Sequence, residues 1–204
     1  DEFNVDILDD PYEFLRTLLP KNKDLLFGTE VISTRKNKPK PVPQDWLCLR
    51  LDTINRTTKQ KEVALKSGLN QWNGSRLNSK TGVRTPRDKN ELYIPYPSKD
   101  RQRKKFFPDR EVPFDLLLPD GTWISAKVCQ DNDKAIMSNP NKLLGKWLLR
   151  DVFQLPEGTA VTYDLLRIYG IDSVMFYKYG ERTYSVDFCK RGTDEKCYGE
   201  EDLE

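Results

Sequence analysis

The chain has 204 residues and 23.8 kDa, with 34 Lys+Arg against 32 Asp+Glu and no histidine. That length suits one domain of roughly 150 residues plus an appendage, and 9 Phe, 9 Tyr and 4 Trp supply one packed core. Without histidine there are no Ser-His-Asp or Cys-His nucleophile pairs and no His-ligated metal sites, while the lack of any apolar run near 20 residues or of a signal pattern predicts a cytoplasmic protein.

In chain order, Pro11–Leu19 reads as a short amphipathic helix, with Phe14, Leu15, Leu18 and Leu19 at helical spacing, Asp10 as N-cap and Pro11 in the first turn. Arg35–Pro43 reads as a polar linker. The expected divisions are a helical extension and linker over 1–44, a domain over 45–190 and an acidic tail over 191–204. From Trp46 the pattern turns to short strands: Trp46–Leu51, Glu91–Pro95, Val112–Leu118 and Thr122–Cys129. Pro119-Asp-Gly121 joins the last two as a hairpin, and Pro95 and Pro97 place their strand at a sheet edge.

Two helices interrupt the strands. Asn139-Pro140 reads as N-cap and first turn of a helix carrying Leu143, Leu144, Trp147, Leu148 and Val152. Thr162 caps a second over Tyr163–Tyr169, stopped by Gly170. Strands return at Ser173–Lys178 and Arg182–Phe188. This spacing predicts a small barrel with helical insertions. The four cysteines, Cys48, Cys129, Cys189 and Cys197, form no C-x-x-C pair and read as reduced thiols, with a Cys189–Cys197 disulfide as the alternative.

Charge is segregated. Residues 56–105 hold 14 Lys/Arg and 4 Asp/Glu, a local +10 inside a chain of net +2, which points to a polyanion partner on one face. Two polar segments stand between core strands, Ser67–Arg87 and Gln130–Lys142. Their side chains suit base reading: Asn and Gln match the N6/N7 edge of adenine, Arg matches guanine O6/N7, and Asp accepts from cytosine N4. Lys and Ser serve phosphates. The DNA-binding candidates in the first segment are Asn70, Gln71, Trp72, Asn73, Arg76, Lys80, Arg84 and Arg87. Trp72 reads equally as a stacking residue and as a core anchor. Arg101, Arg103 and Lys104, in the Arg101–Lys105 run, are candidate phosphate contacts. In the second segment Gln130, Asp131, Asn132 and Lys134 are candidate base readers. Ser138, Asn139, Asn141 and Lys142 are expected to position the backbone at a helix start.

The runs Ser67–Trp72, Tyr93–Pro97, Phe106–Arg110, Pro113–Gly121, Ala126–Asn132, Ser138–Lys142, Leu144–Arg150 and Gly170–Val174 resemble the C-terminal region of NgoFVII-type restriction endonucleases, from about residue 45 to 178. The resemblance implies a mainly β fold: a seven-stranded open pseudobarrel of the plant B-three transcription factor type, with two short helices and an N-terminal extension. It implies sequence-specific recognition of double-stranded DNA by two arms gripping the major groove, in a bacterial restriction-modification setting and without a cofactor. Such endonucleases join this domain to a phospholipase-D-like nuclease whose paired His-x-Lys this chain lacks. The chain therefore reads as a monomeric, non-catalytic recognition part cut from a larger enzyme, beginning within a linker.

Two alternatives stand beside this reading. Pro119-Asp120 with Ser125-Ala-Lys127 approaches a metal-dependent nuclease motif, but Ser125 replaces its second acid. Tyr93, Tyr96, Phe106 and Phe107 suit a stacking platform for RNA or single strands.

Overall fold

Alternation of inward apolar and outward polar side chains builds the strands. The computed structural model describes residues 43–103 and 105–192. The expected 11–19 helix, most of the linker, Lys104, Cys197 and all but the first two residues of the acidic tail lie outside them. The strands are β1 (Asp45–Arg50), β2 (Thr53–Ile54), β3 (Lys61–Glu62), β4 (Ser75–Leu77), β5 (Arg84–Pro86), β6 (Ile94–Pro95), β7 (Phe114–Leu117), β8 (Trp123–Cys129), β9 (Ala135–Ser138), β10 (Ile171–Gly180) and β11 (Thr183–Lys190). Seven of them form one sheet in the order β1-β10-β11-β7-β8-β9-β6. Only β11 and β7 pair in parallel. The end strands β1 and β6 approach each other, so the sheet curls into a nearly closed barrel, as the strand spacing predicts. β6 lies at the end of the order, where its prolines put it.

The barrel interior is aromatic. Phe107 packs against Tyr96, Phe106, Phe114, Phe176 and Tyr184 with ring centroids 4.8–5.3 Å apart. The Tyr184 hydroxyl donates to the Phe106 carbonyl at 2.9 Å, so the buried phenol is satisfied. Burial raises the Tyr96 phenol to about 12. Tyr96, Phe106 and Phe107 are thus interior, which removes three of the four rings of the single-strand stacking platform; Tyr93 alone borders the surface cleft described below. Cys48, Cys129 and Cys189 are buried and stand outside any disulfide among the described residues.

The β7–β8 turn is built as the sequence predicts. Leu118 N–H donates to Thr122 O and Gly121 N–H to Leu118 O, Asp120 Oδ1 accepts from Thr122 N at 2.8 Å, and Gly121 takes φ +85. Asp120 therefore completes a turn.

Among the described residues three short α-helices flank the barrel: α1 (Ser98–Arg103), α2 (Leu143–Gly145) and α3 (Tyr163–Tyr169). In α3 Thr162 Oγ1 accepts from Leu165 N at 3.1 Å and Gly170 closes the helix with φ +69, as its end signals predict. The preceding helix starts later than predicted. β9 runs through Ser138, and Asn139 N–H still donates to Ser125 O at 2.8 Å. Asn139 is thus strand-like and Pro140 no first turn; Lys142 is the N-cap of α2. From Lys146 to Val152 the helix widens to i→i−5 bonding, with Phe153 N–H on Leu148 O at 3.0 Å.

Candidate nucleic-acid interface

Each polar segment grows from the barrel as a turn. In the first, a 3₁₀ helix (Gly68–Asn73) leads into the β4–β5 hairpin, paired from Ser75↔Pro86 to Leu77↔Arg84. Asn78 shapes its tip, with Oδ1 accepting from Lys80 N at 2.9 Å and Gly82 at φ +68. In the second, Gln130–Lys134 turns the chain between β8 and β9, with Asn132 at φ 57. Asn tolerates this left-handed conformation better than most side chains.

Between the roots of these turns lies an open cleft of about 450 Å³. From the first segment it receives Gln71, Ser75, Arg76 and Arg87; from the second, Gln130, Lys134 and Asn141. The structure thus brings the two polar segments, far apart in sequence, to one place. On the other side of the hairpin root a second open depression of about 520 Å³ is bordered by Lys66, Asn73, Arg84 and Thr85. Gly74 permits this crowding: a Cβ there would lie 3.2 Å from Gln71 O and 3.9 Å from Arg87 Nε.

Electrostatics organise the cleft. Glu91, 2 % exposed, accepts from Arg76 Nη2 at 2.9 and 3.1 Å and from Arg87 Nη1. Across the cleft Lys127 Nζ donates to Glu111 at 2.6 Å. Arg110 lies 3.9 Å from Asp131 and 4.0 Å from Asp133, so a cation neighbours the second turn. Cys129, also in the lining, has its thiol raised to about 11, first by burial and then by the Glu111 charge; it stays protonated at neutral pH.

The predicted site residues divide by exposure. Asn73, Arg76, Lys80, Arg84, Asp131, Asn132, Lys134, Asn139 and Lys142 are exposed, and Arg87, Gln130 and Asn141 half-buried. Arg84 Nη1 donates to Ser75 Oγ at 3.0 Å, which lays its side chain along the hairpin. Arg101 is half-buried on α1 and donates to the Tyr96 carbonyl. Arg103 ends α1, and Lys104 lies outside the described residues.

Three expectations are corrected. Asn70 is buried: its amide donates to Ala64 O at 3.1 Å and Val161 O at 2.8 Å and accepts from Val161 N at 2.8 Å. Trp72 is 4 % exposed, so of its two readings the core anchor holds, with Lys89 Nζ 5.0 Å above the ring. Ser138 is fully buried; its hydroxyl donates to Pro140 O and accepts from Leu144 N, both at 2.9 Å. Its hydroxyl takes up an N–H of the first turn of α2, so that N–H is spent inside the protein. Gln71 is 5 % exposed and contributes only to the cleft wall.

Sequence reasoning missed Lys66, Glu91, Arg110, Glu111 and Lys127. For Lys127 the signal was present, since the alternation of β8 turns it outward between Ala126 and Val128. The others sit in loops that carry no such pattern.

A nearly closed β-barrel presenting a cationic hairpin and a second polar turn beside one cleft has the features expected of a nucleic-acid-binding module. Residues 49–180, well over half of the chain, match the family model of the NgoFVII C-terminal B3-like DNA-binding domain. The chain belongs to that family, and its partner is DNA. No curated protein matches it.

Proposed function

We infer that the chain reads a short specific sequence in double-stranded DNA, serving as the target-recognition part of a restriction endonuclease. The supporting observation is the convergence of the 75–86 hairpin and the 130–134 turn on one cleft with Arg, Lys, Asn and Gln side chains. A major groove about 12 Å wide admits a two-stranded ribbon, and the hairpin is such a ribbon, with Arg76 and Arg84 on its strands and Lys80 at its tip. The two turns act as arms in the major groove. Arg76, Arg84, Gln130, Asp131 and Asn132 face bases; Asn73, Lys80, Arg87, Lys134, Asn139, Asn141 and Lys142 hold phosphates or the arm itself, with Arg101 and Arg103 as outlying cations. Catalysis belongs to a nuclease part outside this chain.

Alanine replacement of Arg84 and of Asn132, measured against a preferred and a scrambled duplex, separates the roles. Each is expected to cost about 1–3 kcal/mol on the preferred duplex and to relax preference at one base pair. A loss equal on both duplexes would make that residue a phosphate contact, and no loss from either would remove the arms from the interface.

A further inference from the structure

Glu91 puts a carboxylate where the proposed interface calls for positive charge. It is buried, and among the described residues its carboxylate has two partners, Arg76 and Arg87. Arg76 stands on β4 and Arg87 directly follows β5, so one anion ties both legs of the hairpin to the chain entering β6. The two guanidiniums are unequal. The Arg76 side chain is 56 % exposed and that of Arg87 20 %. Arg76 gives Glu91 only its Nη2, so its Nε and Nη1, which point to opposite sides of the guanidinium, each remain for one acceptor.

Two cations on one buried anion leave a single net positive charge. That lessens general attraction to phosphates, which acts on every sequence alike, while the planar guanidinium of Arg76 is held in a fixed attitude. Removing one partner from a buried ion pair leaves an uncompensated charge, so Glu91 and its arginines keep one arrangement.

We propose that Glu91 is a positioning residue for base reading: with Arg87 as its brace, it holds Arg76 as the reader of one base acceptor such as guanine O6 or N7. The proposal rests on the duplex-reading function above. It makes Glu91 a determinant of specificity rather than of affinity, since a buried carboxylate does not itself touch the duplex.

The test uses the full chain, a preferred duplex selected from a random pool, and a scrambled duplex. The readout is the ratio of the two affinities, in which the folded fraction of a preparation cancels. Glu91→Gln is expected to lower the ratio about tenfold or more, with scrambled-duplex affinity unchanged or tighter because a negative charge is gone. Glu91→Asp, which keeps the charge, is expected to restore most of the ratio. In the double variant Arg76→Ala/Glu91→Gln the ratio should fall no further than in Arg76→Ala alone. Arg76→Lys covers a Glu91→Gln protein that fails to fold: it keeps charge but loses the rigid plane that bonds Glu91 and a base at once, so its ratio must fall. An unchanged ratio in Glu91→Gln or Arg76→Lys, or additive losses in the double variant, overturns the role of Glu91 and leaves duplex reading standing. A wild-type ratio of one overturns duplex reading, and this role with it.

Discussion

The Asn70 amide makes three hydrogen bonds to its own chain, to Ala64 O, Val161 O and Val161 N. Val161 lies 91 positions away, so this one side chain stitches the root of the first arm to the approach to α3. Donor and acceptor on one amide are what adenine reading needs, and they are equally what a backbone peptide needs. Residue type alone therefore could not separate reader from staple, and burial decided for the staple. Replacing Asn70 by Ala leaves an N–H and two carbonyls unpaired in the interior. An expected loss of about 2–4 kcal/mol follows, read as a lower denaturation midpoint with unchanged duplex preference in the folded protein. A stable Asn70→Ala protein with altered base preference would return Asn70 to the interface. Ser138 tells the same story, its hydroxyl spent on Pro140 O and Leu144 N.

At the scale of elements, legibility followed the strength of local signals. α3 carries Thr at one end and Gly at the other, and its bounds match the sequence reading. The β7–β8 hairpin was equally plain, because Pro-Asp-Gly favours a tight turn. α2 was misplaced because Asn-Pro is also a turn signal, and cross-strand bonding of β9 overrode the cap. Widening of the turns after Lys146 left no mark in the apolar spacing, since Trp147, Leu148 and Leu149 face the core either way. Gly145 explains how this helix sits so close to the 88–91 loop. A Cβ at 145 would come within 1.8 Å of Asn90 O, and Arg150 Nε reinforces the contact at 2.8 Å from Asn90 Oδ1. Gly145→Ala must push helix and loop apart, at about 1–3 kcal/mol or more. Because Asn90 adjoins Glu91, the displaced loop should also weaken duplex preference. Thermal unfolding with paired duplex titrations checks both; a midpoint equal to wild type would mean that the close approach is absent in solution.

For the whole molecule, the alternating strands and the aromatic count announced a barrel, and the local +10 announced an anionic partner. What the sequence could not show was convergence. The two arms are separated by more than forty residues and meet only because β8 and β9 turn beside the hairpin root. Nor could it show that buried Glu91 restrains two of the predicted readers, because ion pairs across loops follow no period. The proposed role of this convergence is to read sequence in a duplex. It is tested most directly by exposing the full chain to a random double-stranded oligonucleotide pool, with the single-stranded pool in parallel, and sequencing what is retained. Duplex reading predicts one short motif enriched from the duplex pool alone. Retention without a motif, or an equal yield from single strands, would contradict it.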